Sequence, residues 1–208
     1  MRMLSSIIPF MAIMGAVVVA SNFLVQFPVD FTLGGLNLAD LLTWGAFTYP
    51  IAFLVTDLAN RRFGPQTARI VVFSGFIIAV ALSVWLATPR IAVASGSAFL
   101  IAQLLDVSIF DRLRNRVWWL PPLVSTVIGS SLDTVIFFSL AFSQAAGIIG
   151  PGDAFASEAA PLLGLFAVEA PRWLSWALGD LGVKMIVGLA MLAPYGALMP
   201  VLAPQRRA

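Results

Sequence analysis

Five charged side chains sit inside long apolar runs: Asp57, Asp106, Asp133, Asp180 and Lys184. A charge at the centre of a bilayer costs at least about 2.5–3.5 kcal/mol on insertion scales, so such residues are kept for a function or paired inside a bundle. Gln103 precedes Asp106 by three residues, and Ser130 precedes Asp133 by three. Residues three apart share a helix face. Each couple sets a carboxylate beside an uncharged hydrogen-bonding group with no local cation, and reads as the lining of a cavity. Asp180 and Lys184 are four apart in the acid-before-base order that favours a local pair. That pair reads equally as part of a site and as a self-neutralising structural pin. Asp57 has Arg61 at i+4, and the pairing of these two is an equally good reading of Asp57. Asn22, Gln26, Tyr49 and Ser131 add uncharged hydrogen-bonding capacity, although Asn and Ser more often serve as helix-packing glue.

The chemistry on offer is recognition, not bond-making. The chain has no histidine and no cysteine. It therefore lacks the usual general base near neutral pH, a thiol nucleophile and the commonest metal ligands. No phosphate loop, zinc-protease helix or nucleic-acid motif is present, and no metal or cofactor is called for. No polar run reads as an ion filter. Loosely paired aspartates with few cations suit a neutral or cationic solute that donates hydrogen bonds. This points to a small-molecule carrier and not an enzyme. A non-transporting scaffold would scatter its polar residues instead of gathering them on the last three spans.

The elements that must position these groups follow from composition. Of 208 residues, 60% are hydrophobic and 11% charged, against about 45–50% and about 25% in soluble domains; the mean hydropathy is +0.97. A soluble fold of this size cannot hide that much apolar surface. Spans of about 20 apolar residues cross a bilayer as helices, and six are expected: 4–27, 38–58, 67–87, 91–110, 118–142 and 171–199. The runs are too long and continuous for a β-barrel. The first is read as a retained span and not as a signal peptide, since it exceeds a typical h-region. The expected fold is all-α, a single six-helix transmembrane domain over 1–208.

Arginine placement orients it. Arg2, the Arg61–Arg62–Arg69 group, the Arg112–Arg114–Arg116 group and Arg206–Arg207 fall on one side of such a bundle, while Arg90 and Arg172 fall on the other. Basic residues in short loops collect on the cytoplasmic side. Both termini are therefore expected inside, with Asp30, Asp153, Glu158 and Glu169 outside.

Three smaller features complete the reading. The stretch 144–170 opens with Gly147, Gly150, Pro151 and Gly152, and its apolar "PLLGLFAV" is too short to span. An external linker is expected. Trp44, Phe47 and Tyr49 lie just before Pro50, where a proline kink frees a carbonyl and often borders a cavity. Ala12, Ala16 and Ala20 form a small-residue stripe that permits close helix approach.

Three ordered blocks then carry a resemblance: "FTYPIAFLVTDLANRRFG", "SGSAFLIAQLLDVSIFDRLR" and "WWLPPLVSTVIGSSLDTVIFFSLAF". They span most of 40–143, joined by the Lys184-bearing last span. The chain resembles the YhhQ-type queuosine precursor transporters, a vitamin-uptake-like integral membrane family. The resemblance implies import of 7-cyano-7-deazaguanine, and of 7-aminomethyl-7-deazaguanine as a second candidate, across the bacterial inner membrane for queuosine salvage. It also implies a fold similar to the substrate-binding components of energy-coupling-factor transporters, and leaves open an energy-coupling partner or a homo-oligomer. On that reading Asp106 or Asp133 meets the purine edge and Gln103 its carbonyl. Ser130, Asn22, Tyr49 and Lys184 are further binding candidates, and Asp57 and Asp180 serve coupling or structure.

Overall fold

The structure, a computed structural model, describes residues 2–201, with side chains from Ser6 onward. Arg206 and Arg207 lie outside the described residues. Helices α1 (Arg2–Leu24), α4 (Pro65–Leu86), α5 (Pro89–Leu113), α6 (Leu120–Phe142) and α8 (Arg172–Leu198) dominate the fold. Among the described residues these five are long and apolar enough to cross a membrane. Their outward surfaces are apolar, as at Ile77, Trp85, Val135 and Ile186. In water such a surface would be a liability; against lipid it is the expected coat.

The expected second span differs from the structure. Residues 38–58 do not form one continuous helix. A 3-10 turn occupies Leu38–Asp40, capped by the Asn37 side chain on Ala39 N–H. A bend follows, held to the segment just after α1 by Val29 N–H to Leu42 O and Trp44 N–H to Phe27 O. Helix α2 (Gly45–Thr48) and helix α3 (Pro50–Phe63) then follow one another across Tyr49. The reason is local. Pro50 brings no N–H for the carbonyl one turn back, so it starts a helix better than it continues one. Helix α3 then runs five residues past the expected end, to Phe63, and is capped by Gly64, whose φ of 89° suits a residue without a side chain.

The other boundaries agree with expectation to within three residues. Both long connections lie at one end of the bundle. The first holds the hairpin β1 (Thr32–Leu33) with β2 (Leu36–Asn37). The 144–170 segment holds a 3-10 turn at Gln144–Ile149, the short α7 (Ala154–Ser157), and the hairpin β3 (Ala159–Pro161) with β4 (Glu169–Pro171). Arg90 is buried and ties this segment down. Its guanidinium donates to the carbonyls of Leu140 (2.9 Å), Ser143 (2.5 Å) and Gly150 (3.1 Å). Two of those carbonyls end α6, where unpaired carbonyls and the helix dipole favour a cation.

Helices α1, α3, α4 and α5 share the main apolar core, built on Met14, Val71, Val72, Phe99 and Val107. Small residues set the spacing. A Cβ on Gly75 would lie 2.6 Å from Met14 Cγ, and one on Gly129 would lie 2.8 Å from the Phe53 ring. Helices α6 and α8 pack against this block and against each other. The cavity described next lies between the two groups.

Candidate functional site

A cavity of about 590 Å³ opens at the hairpin end of the bundle, within the range of small-molecule pockets, about 300–1,000 Å³. Its wall takes one face each from the end of α1 (Ser21, Asn22, Gln26), the α2–α3 break (Tyr49), α6 (Asp133, Phe137, Phe138, Phe142) and the start of α8 (Trp176, Asp180, Lys184). The ends of α4 and α5 close one side through Ser83 and Ile91. Ser21, Asn22, Gln26, Tyr49, Phe142 and Trp176 lie at or near helix ends or breaks, whereas Asp133, Asp180 and Lys184 project from within α6 and α8.

An ion triad on α6 and α8 contributes charge to that wall. Lys184 Nζ lies 2.7 Å from Asp133 Oδ2 and 2.5 Å from Asp180 Oδ2. It also reaches Thr134 Oγ1 at 3.3 Å, and Thr134 in turn donates to Asp180 Oδ2 at 2.8 Å. All three ammonium protons are thus directed at acceptors. Tyr49 donates to Asp133 Oδ1 at 3.3 Å, and its ring faces the Lys184 ammonium at 5.3 Å. With two carboxylates and one ammonium, the triad carries one net negative charge. Asp133 and Lys184 are nearly wholly buried, whereas Asp180 keeps 16% of its side chain exposed. Among the described residues, no protein group donates to Asp180 Oδ1. The arrangement leaves Asp180 Oδ1 at the wall of an aromatic, largely apolar pocket.

The structure brings together Asn22, Tyr49, Asp133, Asp180 and Lys184 of the expected site, with Gln26 beside them. Asp133, which has no cation near it in sequence, finds Lys184 across the α6–α8 contact. Asn22 spends its amide on Val18 O (2.9 Å), leaving its carbonyl oxygen to the cavity. Gln103, Asp106 and Ser130 are elsewhere. They are fully buried, do not line the cavity, and lie nearer the arginine-rich end. Gln103 accepts from Thr56 at 2.7 Å, while its amide nitrogen, both Asp106 oxygens and Ser130 Oγ have no hydrogen-bond partner. Ser131 bonds back to Val127 O on its own helix.

The Asp57–Arg61 pair is not formed. Asp57 accepts from Ser125 Oγ at 3.3 Å. Arg61 turns to Tyr195 Oη and the Arg114 carbonyl, each at 2.8 Å. Arg114 donates to the Asn60 carbonyl, and the Asn60 amide to Val107 O. Backbone carbonyls at the ends of α3 and α5 thus attract the guanidiniums more directly than a carboxylate one turn deeper in the bundle.

Sequence reasoning missed the aromatic wall. Trp44 and Phe47 do not line the cavity; Trp44 is half-exposed outside it. The wall is instead Phe137, Phe138 and Phe142 from α6, with Trp176 from α8 and Phe155 from α7. Phe142 meets Trp176 edge-on at 5.5 Å, and Phe155 lies tilted over it at 6.2 Å. Arg172 stacks its guanidinium on Phe155 at 4.5 Å at the same mouth. Three aromatics within "IFFSLAF" were a usable signal. Nothing in the sequence said that α7 would fold back over the opening.

A bundle of apolar helices with a solute-sized pocket and a buried ion triad defines a multi-pass membrane protein built to bind a small molecule. The family model described as "Putative vitamin uptake transporter" matches residues 43–88 and 83–198, and the chain belongs to that family. It is 35% identical over 208 aligned positions to the "Queuosine precursor transporter" of Escherichia coli, covering 89% of this chain and 83% of that protein. It is 33% identical over 214 positions to the "Probable queuosine precursor transporter" of Haemophilus influenzae, with the same coverage. A Bacillus subtilis protein of that same name is 29% identical over 48% of this chain and 56% of its own length. No solved structure matches significantly. The chain is a membrane transporter.

Proposed function

We propose that this chain imports a 7-deazaguanine precursor of queuosine, 7-cyano-7-deazaguanine first and its 7-aminomethyl relative second. It acts in the bacterial inner membrane with both termini in the cytoplasm. The observation that carries the reading is the carboxylate pair at the wall of an aromatic pocket, in a chain 33–35% identical to proteins named as queuosine precursor transporters. A deazaguanine presents adjacent N–H donors on its pairing edge, and a carboxylate accepts such donors well. Asp133 and Asp180 supply the acceptors. Lys184 holds both in place, Asn22 and Tyr49 border the ring, and the Phe142–Trp176 pair stacks on it. The arginine-rich end faces the cytoplasm, so the cavity opens outward, ready to load.

Growth of queuosine-containing tRNA in a strain that neither makes nor imports the precursor tests this reading. Expression of the chain restores labelled uptake and queuosine; membrane-inserted protein without uptake contradicts it. Competition between the two bases then orders the substrates. A preference for the aminomethyl base would place its cationic amine against Asp180, whose carboxylate shares the triad's net negative charge.

A further inference from the structure

Between the cavity and the arginine-rich end lies a second polar group that the binding site does not use. Asp57 on α3 and Asp106 on α5 are 1% and 0% exposed, and their helices are joined on either side of the pair by the Thr56–Gln103 contact at 2.7 Å and the Asn60–Val107 bond at 2.9 Å. Along α3, Asp57 stands eight residues beyond Tyr49, about 12 Å deeper at 1.5 Å per residue. Ser125 on α6 gives Asp57 a single hydrogen bond, and neither oxygen of Asp106 receives one. Gln103, one turn from Asp106, has a buried amide nitrogen with no acceptor. Among the described residues no cation pairs with either carboxylate within 4 Å.

The charged and titratable groups around this pair are few. From α3 comes Arg61, held by Tyr195 and the Arg114 carbonyl. From α8 come Tyr195 and, nearer the cavity, Lys184, which is held by Asp133 and Asp180. Helix α6 offers only Ser125 and Asp133, and α5 ends in Asp111, Arg112 and Arg114. Among its described side chains, Ser6 to Leu24, α1 carries no titratable group, and α4 carries only the exposed Arg69. Two adjacent carboxylates taken out of water without a cation cannot both stay charged. The void touching Asp57 measures about 10 Å³, room for at most about one water and not for a metal ion with its ligands.

We infer that Asp57 and Asp106 form a proton-binding site, a carboxyl–carboxylate pair that takes a proton on the outward-facing side and releases it to the cytoplasm with each solute imported. The step is a plain protonation: one carboxylate gains the proton, becomes the acid, and returns to carboxylate on release. This inference rests on the transport reading and supplies its energy coupling.

Two measurements on the purified chain test it. In infrared spectra at neutral pH, wild type shows the carbonyl stretch of a buried protonated acid, shifted in heavy water, displaced in frequency in Asp106→Asn and in Asp57→Asn, and lost when both residues are replaced by Asn. Absence of that band in wild type, or its persistence in the double variant, overturns the inference. In liposomes with the membrane potential clamped at zero, a gradient of one pH unit drives accumulation of labelled 7-cyano-7-deazaguanine toward a ceiling of about tenfold per proton. Asp106→Asn exchanges label but loses this accumulation. Wild type that exchanges label yet ignores the pH gradient, or follows a sodium gradient instead, also overturns it. Wild type that exchanges no label at all contradicts the transport reading, and the infrared band still decides whether the proton site exists.

Discussion

Lys184 is the residue on which the site turns. Its ammonium neutralises one of two carboxylates in a region with little water. Breaking a buried pair by removing one partner is costly, about 3–5 kcal/mol, because the other charge is left stranded. Lys184→Met is therefore expected to lower the melting temperature of the detergent-solubilised protein. Adding Asp133→Asn should recover part of that loss, since it removes one of the stranded charges; a double variant as unstable as Lys184→Met or worse contradicts this account of the triad. Asp133→Asn alone should weaken solute binding. A hydrogen bond to a charged group is worth about 1.5–3 kcal/mol, which converts to a weakening between about tenfold and a hundredfold, read as the concentration of solute needed to raise the melting temperature. Trp176→Ala should weaken binding by about 1–3 kcal/mol if it stacks on the base, with folding little changed because Trp176 lies at the mouth. These roles were only partly legible in the sequence. The i,i+4 spacing gave the Asp180–Lys184 pair, but Asp133 lies 51 residues from Lys184, and no local pattern joins them. Helical spacing also placed Gln103 and Asp106 correctly on one face, yet a face does not reveal depth, and their depth sets them apart from the cavity.

At the scale of elements, close packing fixes where the cavity can be. Gly129 lets α6 approach the Phe53 ring and α5. Phe53 is wholly buried and cannot step aside, so Gly129→Val should overpack this contact at a cost of about 1–3 kcal/mol. Reduced thermal stability and loss of monodispersity on gel filtration are the readouts, and an unaffected protein would mean that the helices are less tightly seated. The long helices themselves were legible, because twenty apolar residues in a row leave few alternatives. The α2–α3 break was less so. Hydropathy over 38–58 is continuous, and only Pro50 marked the point where the helix restarts. The hairpins were not legible at all: their strands are two or three residues long, below what alternation can reveal.

The whole molecule joins the aromatic cavity at one end, the Asp57–Asp106 pair in the middle and an arginine cluster at the other. That cluster links α3, α5 and α8 through Arg61, Tyr195, Arg114 and Asn60. The chain contains no cysteine, so single introduced thiols report cleanly on sidedness. Ile148→Cys, at a residue 97% exposed in the 144–170 segment, should react with a membrane-impermeant thiol reagent in intact cells; Asn115→Cys, between α5 and α6, should react only after the membrane is opened. The reverse pattern would invert the bundle and turn the cavity toward the cytoplasm. The most direct measurement of the central claim is uptake of radiolabelled 7-cyano-7-deazaguanine by a bacterial strain that neither makes it nor carries its own transporter, with and without this chain. The account predicts uptake and restored queuosine in tRNA with the wild-type chain, both reduced by Asp133→Asn. Membrane-inserted wild-type protein with no uptake of this base or of its aminomethyl relative would contradict it.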